Sequence, residues 1–130
     1  MPDDLQFPSA RDARVREALG FMSVRLKGTL HLDDLAERVR LGRRQLFRLF
    51  RRDVGITPLE VLRAMRMARA RQLLKTSRLS VKEVAAECGF QDVSHFVRDF
   101  TKLHRASPAQ FRNHTHSEAG ESRTLAASRP

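Results

Sequence analysis

Apolar residues recur along this chain at intervals of three and four, and their phase restarts several times, the pattern of a series of amphipathic helices. From about Asp12 to Lys27, Val15, Leu19, Met22 and Leu26 share one face, and Gly28 stands where a helix would stop. Leu32 to Val39 forms a short helix with Asp33 and Asp34 in its first turn, where the helix dipole favours negative charge. A tight turn at Arg40 to Gly42 follows, and Leu46, Leu49 and Phe50 then give Leu41 to Asp53 a single buried stripe. Thr57, Pro58 and Glu60 make a capping box with proline at the first helical position, and the helix they open runs to about Lys75. Such a helix spans roughly 27 Å, and Leu62, Met65, Ala70, Leu73 and Leu74 are its core candidates. Ser80 and Glu83 make a second capping box, for a short helix ending near Cys88-Gly89. Another helix is expected from about Asp92 to Leu103, and Ser107-Pro108 starts a last one ending near Asn113. The predicted fold is all-α, with seven helices.

The elements repeat. A shift of 49 residues lays Leu30, Leu32, Leu35, Ala36 and Leu41 on Leu79, Val81, Val84, Ala85 and Phe90. After one inserted residue, a shift of 50 lays Leu46, Arg48, Phe50, Thr57 and Pro58 on Phe96, Arg98, Phe100, Ser107 and Pro108. Two helix-turn-helix units joined by a long central helix are therefore expected. The boundaries follow: a flexible segment over residues 1–12, a domain over 13–113 and a disordered tail over 114–130. Within the domain, 13–56 is the first unit, 57–76 the linker helix and 77–113 the second unit.

Charge separates the two units. From Arg38 to Arg52 there are seven arginines and no carboxylate, whereas the charges over Cys88 to Lys102 sum to zero. A helix that buries one stripe and offers guanidinium groups elsewhere suits an extended anionic partner, of which a nucleic-acid groove is the simplest. The whole chain of 130 residues carries a net charge of +10. Nearly all its cations are arginine, whose planar fork pairs with phosphate oxygens and guanine edges. With Leu46, Leu49 and Phe50 turned inward, the outward face of the first helix is Arg43, Arg44, Phe47, Arg48 and Arg51. Its twin buries Phe96 and Phe100 and turns Val93, Ser94, Val97 and Arg98 outward.

Other classes fit less well. A single cysteine, Cys88, leaves no internal disulfide and no cysteine-based zinc site. Asp92, His95 and Asp99 share one helix but lack a nucleophile, and no glycine-rich phosphate loop is present, so the chain does not read as an enzyme. His114, His116 and Glu118 lie in an aperiodic stretch, and neither metal nor cofactor is expected. No secretory leader or long apolar run occurs, which points to the cytoplasm, DNA-associated, and to no membrane partner. The rival reading is a nonspecific architectural, nucleoid-like protein, and sequence preference in DNA binding separates the two.

The runs L-H-L-D-D-L-A-E-R-V-R-L-G-R-R-Q-L-F-R-L-F-R-R-D-V-G-I-T-P, A-A-E-C-G-F-Q-D-V-S-H-F-V-R-D-F and S-P-A-Q-F-R closely resemble the DNA-binding domain of the AraC/XylS family of transcription regulators. The resemblance covers about Ala13 to Arg112. Its most specific block holds Ala85, Cys88, Gly89, Phe90, Phe96, Phe100, Pro108 and Arg112. It implies a sequence-specific regulator of double-stranded DNA whose two second helices enter successive major grooves, which lie about 34 Å apart. By resemblance the base-reading positions fall on Arg43, Arg44, Phe47 and Arg48. Phosphate contacts are expected from Arg66, Arg112 and the helix starts at Ser80 and Ser107. An activator of this kind would also meet RNA polymerase, and a sensor domain or dimer partner would come from outside this chain. The Q-L-F-R-L-F-R-R-D-V-G and A-R-A-R-Q-L-L runs look most like regulators whose other half is DJ-1/PfpI-like.

Two departures stand out. Gly42 occupies the usual place of a capping serine, and His104-Arg105 replaces an aromatic–glycine pair. If Arg105 takes a left-handed conformation, the cost is on the order of 1 kcal/mol.

Overall fold

The computed structural model describes residues 11–116. Among these residues it contains seven helices and no strand: α1 (Ala13–Ser23), α2 (Leu32–Arg38), α3 (Arg43–Asp53), α4 (Pro58–Thr76), α5 (Val81–Glu87), α6 (Val93–His104) and α7, which runs from 108 through 116. The chain divides into two units, the first ending at Arg69 and the second beginning at Ala70, both within α4.

In the first unit α1, α2 and α3 pack on one another around Val15, Ala18, Met22, Leu35, Leu46 and Phe50, all essentially inaccessible to solvent. Val61, Leu62 and Met65 of α4 complete that core. In the second unit α5 packs on α6, and Leu74, Val84, Ala85, Cys88, Phe96 and Phe100 are buried. Here the filling is aromatic. Phe100 lies 5.7 Å from Phe96, 5.4 Å from Phe111 and 4.3 Å from the His104 ring, centroid to centroid. His104 thus takes the place of the expected aromatic by stacking as one. Its Nε2 is buried with no hydrogen-bond partner among the described residues. Burial and the neighbouring Arg71 and Lys75 charges hold its pKa below the usual histidine value.

Helix ends follow their caps. The Asp12 carboxylate accepts from the Arg14 N–H at 2.8 Å to start α1, and Asp92 does the same for Ser94 at α6. Ser80 and Glu83 form the full reciprocal box, which draws the Glu83 carboxyl below its ordinary pKa. At α4 the pattern is modified. The Thr57 hydroxyl accepts from the Glu60 N–H, but it donates to the Glu60 carboxylate at 3.1 Å, leaving that carboxylate off the cap's backbone N–H. Gly42 caps α3 without a side-chain bond.

Two boundaries differ from the expectation drawn from periodicity. The first helix ends at Ser23, not near Lys27, because the chain turns after Val24 and still buries Leu26 from the loop. Burial at a helical interval cannot distinguish a helix from a turn that returns to the same core. The last helix passes Asn113 and reaches residue 116, where the His116 ring nitrogen lies 3.4 Å from the Lys75 carbonyl oxygen. The flexible segment expected over 1–12 lies outside the described residues apart from Arg11 and the cap Asp12. The rest of the expected tail, residues 117–130, lies outside them entirely.

Among the described residues four have positive φ, and the repeat pairs them. Arg40 (φ 58) and Gly89 (φ 87) end α2 and α5, while Gly55 (φ 89) and Arg105 (φ 58) end α3 and α6. Each pair holds one glycine, which adopts this conformation freely, and one arginine, which adopts it at a cost of about 1 kcal/mol.

Candidate nucleic-acid interface

α3 carries five arginines and one carboxylate, Asp53 at its end. Leu46, Leu49 and Phe50 fix its buried face, so Arg43, Arg44, Arg48, Arg51 and Arg52 are exposed on the others. Arg44, Arg48 and Arg51 form no ion pair or hydrogen bond among the described residues. A desolvated, self-paired arginine has little left for a ligand, so unpaired guanidiniums in solvent are the ones ready to grip an anion or a guanine edge. Arg44 and Arg48, one turn apart, point to the same side of the helix.

Arg43 differs from them. Its Nε lies 3.3 Å from a carboxylate oxygen of Asp33 at the start of α2. The run from Arg38 to Arg52 holds no carboxylate, yet folding brings one in from ten residues away. Both partners are largely exposed, so this ion pair is weak and exchangeable for a stronger anion. Phe47 is half-buried, neither fully core nor free surface, and its outer edge remains available to an apolar group such as a thymine methyl.

The far end of α3 is tied down by a carboxylate pair. The Asp12 backbone N–H donates to Asp53 at 2.8 Å, and Arg52 bridges to both carboxylates at 3.0 and 3.5 Å. The Asp53 side chain is only 3% exposed. Hydrogen bonds from Arg14 pull the Asp12 pKa down to about 2, and the Asp12 N–H and Arg52 lower that of Asp53. This network holds the C-terminal turn of α3 against the start of α1. It was not legible in the sequence, since nothing local links residue 12 to residue 53.

On α6 the matching face is nearly neutral. Val93 is 37% exposed, Ser94 and Arg98 are exposed, and Val97 is half-buried. Arg98 has no ion pair or hydrogen bond among the described residues. His95 is exposed beside it, and Cys88 is wholly buried. Among the described residues no cluster of histidine, cysteine or acidic side chains has metal-binding geometry, and no helix is long and apolar enough to cross a membrane.

Two residues expected to contact phosphate engage backbone carbonyls within the chain. Arg66 donates through Nε to the Leu26 carbonyl at 3.2 Å and through Nη2 to the Gly28 carbonyl at 3.0 Å. Arg112 donates to Leu74 at 3.1 Å and to Ser77 at 3.4 Å. Arg66 thereby secures the loop after α1, and Arg112 the chain leaving α4, each through two backbone carbonyls. Ser80 and Ser107 sit at helix starts as expected, but each backbone N–H is taken, by Glu83 and by Gln110 at 2.9 Å. At Ser80 the local carboxylate opposes an incoming anion, whereas at Ser107 the neutral amide does not.

A helix-turn-helix domain family matches residues 35–114, more than half of the chain. The chain is 40% identical over 96 residues to the HTH-type transcriptional regulator CdhR of Pseudomonas aeruginosa, covering 74% of this chain and 29% of that protein. It is 36% identical over 95 residues to the regulator GbdR of the same species, covering 73% and 26%. It therefore spans less than a third of the length of these curated relatives. Among solved structures, the DNA-binding domain of the global transcriptional factor AdpA in complex with a target DNA is similar, with a TM-score of 0.78 at 31% identity, covering 82% of this chain and 96% of that one. The C-terminal domain of AraT, a response regulator from Geobacillus stearothermophilus, gives 0.74 at 27% identity, covering 78% and 85%.

Proposed function

The chain belongs to the AraC/XylS family of helix-turn-helix transcription regulators, and on that premise we propose that it reads double-stranded DNA through α3 and α6, placed in successive major grooves. The observation that carries this reading is the solvent-facing row of Arg44, Arg48 and Arg51 on a helix whose opposite stripe is fully buried. Arg44 and Arg48 grip guanine edges, Arg43 exchanges Asp33 for DNA, and Phe47 lies against thymine methyls. Arg51 reaches the backbone. On α6, Val93, Ser94, Val97 and Arg98 make the second contact, with one cation in place of several. Ser107 opens α7 toward a phosphate, while Ser80 is the weaker candidate because of Glu83.

The relatives are about three times longer, so the sensor that governs the regulator and any dimer contact are assigned to partners outside this stretch. RNA polymerase is the further partner if the regulator activates. Selection of bound duplexes from random DNA tests the proposal. The expected result is one motif enriched in guanine at the α3 half-site and less defined at the α6 half-site. Binding with equal strength to all sequences would replace this reading with a nonspecific architectural role.

A further inference from the structure

We propose that Arg40 holds a DNA phosphate at a cleft by the turn that leads into the recognition helix of the first unit. The inference deepens the reading of α3 as a DNA-reading helix and rests on it.

Arg40 sits in the turn between α2 and α3 at φ 58, in the left-handed region that disfavours side chains other than those of asparagine and aspartate. The equivalent turn of the second unit places Gly89 there, at φ 87. The turn itself therefore asks for no side chain, and an arginine at this point carries strain that a glycine would remove. The side chain is also left unengaged. It lines an open cleft of about 530 Å³ together with Arg14, Glu17, Arg38 and Val39. Arg14 is committed to Asp12 at 2.9 Å, and Arg38 approaches Glu17 at 3.6 Å. The Arg40 side chain has neither an ion pair nor a hydrogen bond among the described residues. Two guanidiniums that already have carboxylates shape the wall, and the one without is free to bind.

The ligand this arrangement fits is a single anionic group. The turn lies two residues before Gly42, the cap of α3, so a helix seated in a groove brings the flanking sugar–phosphate backbone toward it. The repeat sharpens the point. A shift of 49 puts Glu87 and Gly89 where Arg38 and Arg40 stand, so the cationic pair belongs to the first unit alone.

The test uses the full 130-residue chain and its Arg40→Gly and Arg40→Lys variants. Thermal melting is measured beside affinity across a salt series, for a duplex selected from random DNA and for a scrambled duplex of the same length. Arg40→Gly is expected to melt higher than the parent yet bind both duplexes more weakly, with a salt slope shallower by about 0.9. Arg40→Lys is expected to keep the slope. An unchanged slope for Arg40→Gly, a loss confined to the selected duplex, or a lower melting temperature would each overturn the assignment. Failure of the parent to prefer the selected duplex would count against base reading by α3, while the scrambled duplex would still report on Arg40.

Discussion

Set α3 beside α6 at a shift of 50 and the two helices agree inside and disagree outside. Leu46 and Phe50 match Phe96 and Phe100, all buried. On the outer face, Arg43, Arg44, Phe47 and Arg51 stand against Val93, Ser94, Val97 and Thr101, and only Arg48 finds its like in Arg98. One scaffold has thus been given two surfaces. On the proposed reading the first offers arginines to phosphates and guanine edges, whereas the second offers small apolar groups, two hydroxyls and a single arginine. Burial dictates the shared half, because a lost core contact costs several kcal/mol in either unit. The fold constrains the other half less, through the partial burial of Phe47 and Val97 and the Arg43–Asp33 pair.

The largest effects should fall on the shared half. Phe50→Ala and Phe100→Ala each remove a fully buried ring, at a cost of about 3–5 kcal/mol against a total stability of about 5–15. Phe100 lies in an aromatic cluster and Phe50 does not, so the Phe100 variant is expected at the upper end. Urea unfolding measures both, and a negligible cost for either would break the equivalence of the two scaffolds. Arg66→Ala and Arg112→Ala come next, at about 1–3 kcal/mol each, since each strips the partner from two backbone carbonyls. Their DNA salt slopes should stay at the parent value. A shallower slope would return these arginines to the phosphate.

A smaller effect separates the units by pH. His104 packs among aromatic rings, and burial with the nearby Arg71 and Lys75 charges holds its folded pKa below the usual histidine value. The unfolded chain takes up a proton near pH 6.5 while the folded chain does not. Stability is therefore full above that pH and declines as pH falls toward the lowered value. His104→Phe should flatten this decline in a melting series from pH 7.5 to about 5. Asp12 titrates near 2 and leaves that window clear. Among the described residues of the first unit none stacks in the same way, since Val54 stands at the matching position.

How much of this was legible in the sequence varied with locality. α3 and α6 were readable because each buries a single stripe, and caps at Asp12, Ser80 and Asp92 act within three residues. α4 was harder, because Val61, Leu62, Met65, Met67, Ala70 and Leu74 bury more than one of its faces and leave no clear stripe. That ambiguity hid the two backbone carbonyls that Arg66 engages. The bond from Asp12 to Asp53 and the pair of Arg43 with Asp33 join separate helices, and no local pattern carries them. The left-handed turn at Arg40 was within reach. The same repeat that aligned the helices lays it on Gly89.

The central claim is that the first unit anchors and specifies while the second adds a weaker contact. Equilibrium binding of Arg48→Ala and Arg98→Ala to one selected duplex, at one salt concentration, tests it most directly, because these are the matched cations of the two helices. Arg48→Ala is expected to lose about 1–3 kcal/mol, roughly ten- to a hundredfold in affinity, and Arg98→Ala clearly less. A larger loss for Arg98→Ala would contradict the account.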